Sequence, residues 1–371
     1  MTSTHYVGVC ILLPVEVICK KSFVKKKQFL KRKELKAMSQ KRKKPIQISS
    51  IKELQRIRND PNYPLDGYYE LTQDIDASET INWYNGIGFR PIGTLLYPFE
   101  GKFDGKGHKI TGLYIKDSFD ENRLFVTGLF GLVESVAEIK NVVIENAKIF
   151  GWYSTGALVG DNYGTVRNCY SINCSISGYY NTGGLIGEND GTISCCYSTS
   201  SVFGYDWKFC IGGLVGDNYG TIVNCYNTGS VNGYNSVGGL TGRNSGPIIN
   251  SYNTGSVSGE WNVGGLVGEN FAMINNCYNQ GFVYGVKNTG GLVGESYCVE
   301  ITNSYNIGSI SGVKYVGGLI GYNKGRDTMI TNSYNTGSLS GQLEVRELVG
   351  FDEKGGIIIN SYNINSITQI C

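Results

Sequence analysis

A tetrapeptide, Gly-Leu-x-Gly, recurs along this chain with its last glycine at Gly131, Gly187, Gly216, Gly242, Gly268, Gly294 and Gly321. Degenerate copies end at Gly160 and Gly350, and the intervals in chain order are 29, 27, 29, 26, 26, 26, 27 and 29 residues. A second marker, Asn-[Cys/Ser]-Tyr, keeps step from Asn168-Cys169-Tyr170 through Asn224-Cys225-Tyr226 to Asn360-Ser361-Tyr362, with Cys195-Cys196-Tyr197 as a variant copy. A fixed period of this size means stacked units, each burying an apolar side that it cannot cover alone.

Within one unit the apolar residues fall in three short stretches, such as Leu214-Val215, Ile222 to Tyr226, and Val231. Turn sequences separate them, among them Asp217-Asn218-Tyr219-Gly220 and Asn227-Thr228-Gly229, and no helical period runs through. A propeller blade of four strands needs ~40–50 residues, more than each unit supplies. The predicted fold is therefore all-β, a parallel β-helix of about nine coils. Like positions would stack ~4.8 Å apart along a rod of roughly 45 Å. Glycine, 52 of 371 residues, follows no three-residue period, which excludes collagen. No apolar run approaches the ~18 residues of a membrane-spanning helix.

The net charge of +2 hides two halves of opposite sign. Residues 1–46 hold 13 Lys/Arg against Glu16 and Glu34, leaving 20 basic and 29 acidic residues in the remainder. This leader is predicted to be a disordered basic tail, the one part suited to nucleic acid or an anionic surface. Its apolar stretch Tyr6 to Cys19 precedes the positive charge rather than following it, unlike a secretory signal peptide. Residues 47–98 read as a cap and lead-in. There Ser50 and Glu53 have capping-box spacing ahead of a short helix over 51–57, and extended pieces lie at Tyr68–Leu71 and Ile75. The β-helix proper is assigned to 99–371.

Three columns are the candidates for chemistry. Cys169, Cys196, Cys225 and Cys277 alternate with Ser251, Ser304, Ser333 and Ser361, so the position demands small volume rather than a thiol. No paired Cys-x2-Cys or histidine cluster accompanies them, and no metal or cofactor is expected. Asp161, Glu188, Asp217, Arg243, Glu269 and Glu295 follow the glycine turn and read as solvated residues keeping the repeat soluble. Their ~5 Å spacing would also suit a polysaccharide-cleaving carboxylate pair, the enzymatic alternative. His108, in Asp104-Gly105-Lys106-Gly107-His108, reads as part of a tight turn entering a strand at Lys109. The third column, Tyr170, Tyr197, Tyr226, Tyr252, Tyr278, Tyr305, Tyr334 and Tyr362, is the candidate ligand-binding surface. If the preceding Cys or Ser points inward, strand alternation sends the rings out, whereas a bend at the asparagine would bury them.

The Gly-Leu-x-Gly units, with Ile-x-Asn-Cys-Tyr and Gly-Ser-Val-x-Gly, resemble the GLUG-motif repeat family. The stretch Tyr69-Glu70-Leu71-Thr72-Gln73-Asp74-Ile75-Asp76, then Pro91-Ile92-Gly93 and Phe99 to Ile110, is similar to the lead-in such proteins carry, so the resemblance covers 48–371. It implies a right-handed β-helix of the kind found in large bacterial surface and secreted proteins, adhesin-like ones included. Similar repeats occur in the non-catalytic part of immunoglobulin A-cleaving metalloproteases. What it implies for function is a non-enzymatic scaffold at the cell surface or secreted, binding a protein or glycan partner.

Overall fold

The computed structural model describes residues 44–117, 126–205, 210–297, 300–365 and 367–369. The expected disorder of the basic leader falls almost wholly outside them. Everything from Pro45 onward forms one compact unit, a parallel β-solenoid.

Each full coil passes through four sheets in turn. In one coil these are Val215–Asn218, then Thr221–Val223, then Tyr226–Asn227, then Val231–Asn232 with Asn235–Gly238. Strands of successive coils pair in parallel and in register, building sheets of 9, 12, 11 and 14 strands respectively. The stretch Ile222 to Tyr226, expected as one strand, is two. Asn224 has φ of 55° and turns the chain between sheets, as do its column mates Asn168, Cys195, Asn250, Asn276, Asn303, Asn332 and Asn360, with φ between 48° and 55°. Asparagine tolerates this left-handed conformation because its short amide bonds locally, so a corner can recur in every coil.

The count of nine coils is corrected to about eleven turns, as the 11-stranded sheet shows. Nine is the number of Gly-Leu-x-Gly strands, and the sheet they form does have nine. The lead-in adds the rest without carrying that tetrapeptide. Ile46–Ile48 pairs with Tyr69–Leu71, Tyr68–Glu70 pairs with Lys102–Asp104, and Ile75–Asp76 pairs with Ile110–Thr111. The helix is present at Ile51–Arg56. Ser50 Oγ accepts from the Glu53 amide at 3.3 Å, and Glu53 reaches back to the Ser49 amide at 2.7 Å. Its Ile51 and Leu54 are buried against the first coils.

Apolar columns fill the interior: Ile222, Ile248, Ile274 and Ile301 from one sheet, Leu214, Leu240, Leu266 and Leu292 from the turn before another, all fully buried. In the amino-terminal coils Tyr69, Phe99, Phe103 and Phe130 form an aromatic plug with centroids 5.0–6.5 Å apart.

Two further interior columns are polar. Asn227, Asn253, Asn279, Asn306 and Asn335 are fully buried, and each amide donates to the carbonyl of the next at 2.7–2.9 Å. Asn162, Asn189, Asn218, Asn244 and Asn270 form a second such ladder at 2.7–2.8 Å. Both sets lie in sequences expected to be turns. Their turns do exist, but the asparagine points inward and binds the backbone two residues on, as when Asn253 Nδ2 donates to the Gly255 carbonyl and Asn253 Oδ1 accepts from the Gly255 amide. Glycine is required beside the first ladder: a Cβ on Gly239 would stand 2.4 Å from Asn253 Cγ and 2.1 Å from the Gly265 carbonyl oxygen.

Candidate functional site

The tyrosine column stands on the outer face. From Tyr170 to Tyr334 the Cys or Ser before the tyrosine and the Ser or Asn after it are buried while the tyrosine between them is half-buried; in the last coil Ser361 and Asn363 are half-buried and Tyr362 is exposed. The eight rings pair in register and stack along the solenoid with centroids 4.2, 4.7, 4.8, 4.7, 5.0, 5.0 and 5.6 Å apart from Tyr170 to Tyr362. From Tyr197 onward the interplanar angles stay between 2° and 9°. Ring faces are thereby spent on neighbouring rings, and the column offers edges and hydroxyl groups to solvent. Outside it, Asn250 and Asn276 donate to Asn224 and Asn250 at 3.1 and 2.8 Å, so the corner asparagines are both bends and an amide ladder.

The small-residue column does more than fit. Its backbone amides sit at the corner, and each donates to the side chain of the next coil: Cys225 to Ser251 Oγ and Cys277 to Ser304 Oγ at 3.1 Å, Cys196 to Cys225 Sγ at 3.4 Å. A hydroxyl and a thiol serve alike, which explains their exchange. The thiols described are free, and burial pushes those of Cys196 and Cys225 well up and that of Cys277 up to about 12, keeping them protonated and unreactive.

The acidic column is corrected: it is not a row of solvated turn residues. Asp161, Glu188, Asp217, Arg243, Glu269 and Glu295 pair in register on the strands after Gly-Leu-x-Gly, and Asp217 and Glu295 are only 2% and 3% exposed. They lie under the neighbouring corner, whose polar side chains receive them. Asn181 donates to Glu188 at 2.9 Å, Ser236 and Asn262 donate to Glu269 at 2.8 and 2.7 Å, and Asn288 donates to Glu295 at 3.0 Å. Arg243 forks onto Asp217 at 2.7 and 3.1 Å and also bonds the Tyr219 hydroxyl, while Lys324 pairs with Glu295. Burial pushes Asp161 up to about 7, against a hydrogen bond from Ser154, and Asp217 up to about 6, against the pull of Arg243. The carboxylates hold the corner together. Spacing alone could not show this, because the receiving amides come from a different stretch of the coil.

His108 lies 3.1 Å from Asp74 beside a turn in which Lys106 and Gly107 have φ of 54° and 84°, and the strand Lys109–Thr111 follows. Among the described residues no group of three His, Cys, Asp or Glu side chains could hold a metal ion, and no helix is long and apolar enough to cross a membrane.

A concave place interrupts the regular surface of the lead-in. Lys52, Gln55, Trp83 and Tyr84 line an open cleft of about 370 Å³ on the lead-in. Nothing in the repeat pattern marks it, since it precedes the first Gly-Leu-x-Gly unit.

Comparison with known proteins bears on the repeats. Residues 209–232 match the GLUG motif. Over 129 residues, 33% of this chain, the sequence is 37% identical to halomucin of Haloquadratum walsbyi, of which that segment is 1%. Over 133 residues, again 33% of the chain, it is 35% identical to a protein of Evansella cellulosilytica provisionally named a Gly-rich membrane protein, covering 14% of it. The chain thus spans a small fraction of the curated relatives it matches. A solved chain from Bacteroides ovatus, provisionally assigned as an immunoglobulin A1 protease, aligns over 87% of this chain and 84% of its own length with TM-score 0.47 and 21% identity.

Proposed function

We propose that this chain is a non-catalytic GLUG-type repeat module of a cell-surface or secreted protein, a stiff rod that presents a binding face to a protein or glycan. The observation that carries this reading is the continuity of the columns. Tyrosine stacks and amide ladders run from coil to coil and carboxylate–amide pairs recur within coils, so Glu188, Asp217, Glu269 and Glu295 are engaged in holding the rod. A solenoid of this kind resists bending because every coil is hydrogen-bonded to both neighbours. The provisional naming of one relative as a membrane protein is in keeping with a place at the cell surface. The eight-tyrosine column belongs to the proposed binding face through its edges and hydroxyls, its ring faces being occupied.

Labelling intact source cells with an antibody against residues 45–371, with and without protease shaving, tests the location; signal only after lysis overturns it. Incubation with pectic and other polysaccharides tests the catalytic alternative. No new reducing or unsaturated ends are expected, and their release, abolished by Asp217→Asn, would refute the scaffold reading.

A further inference from the structure

The lead-in cleft combines a cavity, an aromatic lining, one lining cation, Lys52, with a second, Arg90, over the Tyr84 ring, and backbone strain, all outside the repeats. Trp83 lies across from Tyr84, with centroids 6.4 Å apart and rings at 82°, and the Arg90 guanidinium carbon sits 3.8 Å over the Tyr84 ring. Gln55 fixes Arg90 reciprocally, donating to its carbonyl at 3.0 Å and accepting from its amide at 2.9 Å, so the helix Ile51–Arg56 holds one wall. Lys52, on the same helix, stands 74% exposed with Glu79 3.4 Å away.

The turn presenting the aromatic wall is strained. Tyr84 and Asn85 have φ of 50° and 58°, two consecutive non-glycine residues in the left-handed region, and Gly86 continues at 84°. A bulky residue in that conformation costs on the order of 1–3 kcal/mol and persists where something else over-determines it. Glycine at position 84 would relieve the cost, yet a tyrosine that is 41% exposed stands there beside the cleft. The strained turn thus holds an exposed Tyr84 beside the cleft with the Arg90 guanidinium over its ring, and Gln55 fixes the Arg90 backbone.

We propose that this cleft binds an acidic saccharide, a pyranose carrying a carboxylate; the inference deepens the scaffold reading by naming its partner class. The apolar C–H side of a pyranose packs on Trp83 and the edge of Tyr84, and its carboxylate is met by Arg90 and Lys52. The Lys52–Glu79 pair does not block this, because an exposed ion pair is worth about 0–1 kcal/mol and exchanges partners readily.

The full-length protein is titrated calorimetrically with hexagalacturonate and sialyllactose, and with their neutral counterparts, carboxyl-reduced hexagalacturonate and lactose. At least one acidic sugar is expected to bind tenfold or more tightly than its neutral counterpart, with affinity falling as salt rises. Lys52→Gln, Arg90→Gln and Tyr84→Gly should each weaken it about tenfold, while Tyr84→Gly leaves the melting temperature unchanged or higher. Variants that bind like the parent would place the ligand elsewhere and overturn this site while leaving the scaffold reading intact. Binding of neither acidic sugar, indifference to the carboxylate, or equal competition by adenosine monophosphate or polyglutamate would also overturn it. The surface-labelling experiment is independent of all these outcomes.

Discussion

Replacing Asn279 with alanine removes four hydrogen bonds from the buried interior. Its Nδ2 donates to the Gly281 carbonyl at 2.9 Å and to Asn306 Oδ1 at 2.8 Å, and its Oδ1 accepts from the Gly281 amide at 3.1 Å and from Asn253 Nδ2 at 2.9 Å. Each buried bond is worth about 1 kcal/mol net, and groups left unpaired cost more, so the expected loss is about 4 kcal/mol. Water cannot compensate without opening the coil, because Asn279 and Gly281 are buried and Asn279 Cγ lies 2.4 Å from where a Cβ on Gly265 would be. The control is Asn276→Gly, which gives up one exposed amide contact of 2.8 Å and keeps its φ of 54° without strain, for a change within about 1 kcal/mol. Urea unfolding gives the stabilities. Native-state hydrogen exchange gives the locality, since about 4 kcal/mol corresponds to roughly a thousandfold loss of protection around Gly281. An Asn279→Ala stability within about 1 kcal/mol of the Asn276→Gly protein would refute the interior ladder as a stabilising element.

Substitutions at three other positions test the remaining columns. Ser251→Ala strands the Cys225 amide and should cost about 1–3 kcal/mol in urea melts, whereas Ser251→Cys should cost less than about 1, because a thiol fills this role at Cys225; equal costs would mean only volume matters. Tyr278→Ala breaks stacks of 4.7 and 5.0 Å and should lose about 1–3 kcal/mol together with near-ultraviolet dichroism, and an unchanged melt would deny the stack any stabilising part. Asp161, pushed up to about 7 by burial, holds its proton in the fold at pH values where the unfolded chain has released it. Stability from this group therefore falls as pH rises from about 4 through 7, and Asp161→Asn should flatten that slope and melt higher than the parent at pH 8; parallel pH profiles would contradict the assignment.

The fold was legible because its cause is periodic. Gly-Leu-x-Gly and Asn-[Cys/Ser]-Tyr fix which residues meet across coils, and parallel pairing in register follows. What could not be read was the direction of polar side chains at corners. Asn227 and Asn253 look like turn residues because asparagine favours both turns and left-handed bends, and only the path of the coil decides which ones face in. Asp217 looks like solubilising charge because its receiving group, Arg243, is brought up by the winding, and Glu295 because nothing in the sequence says that Asn288, seven residues earlier, faces it. The lead-in turns escaped the count because Tyr68–Leu71 and Ile75–Asp76 pair as coils do without sharing the repeat's letters. The cleft at Trp83 and Tyr84 rests on backbone angles that no residue preference announces.

Because Val215–Asn218 meets Thr241–Asn244 in the same way that strand meets Val267–Asn270, the joint between these repeat coils is interchangeable with the next. A gene for such a chain can gain or lose one unit by unequal crossing-over and still encode matching joints throughout. Reach would then be adjusted in increments of roughly 4.8 Å, like links added to a chain, while the girth of the molecule stays the same.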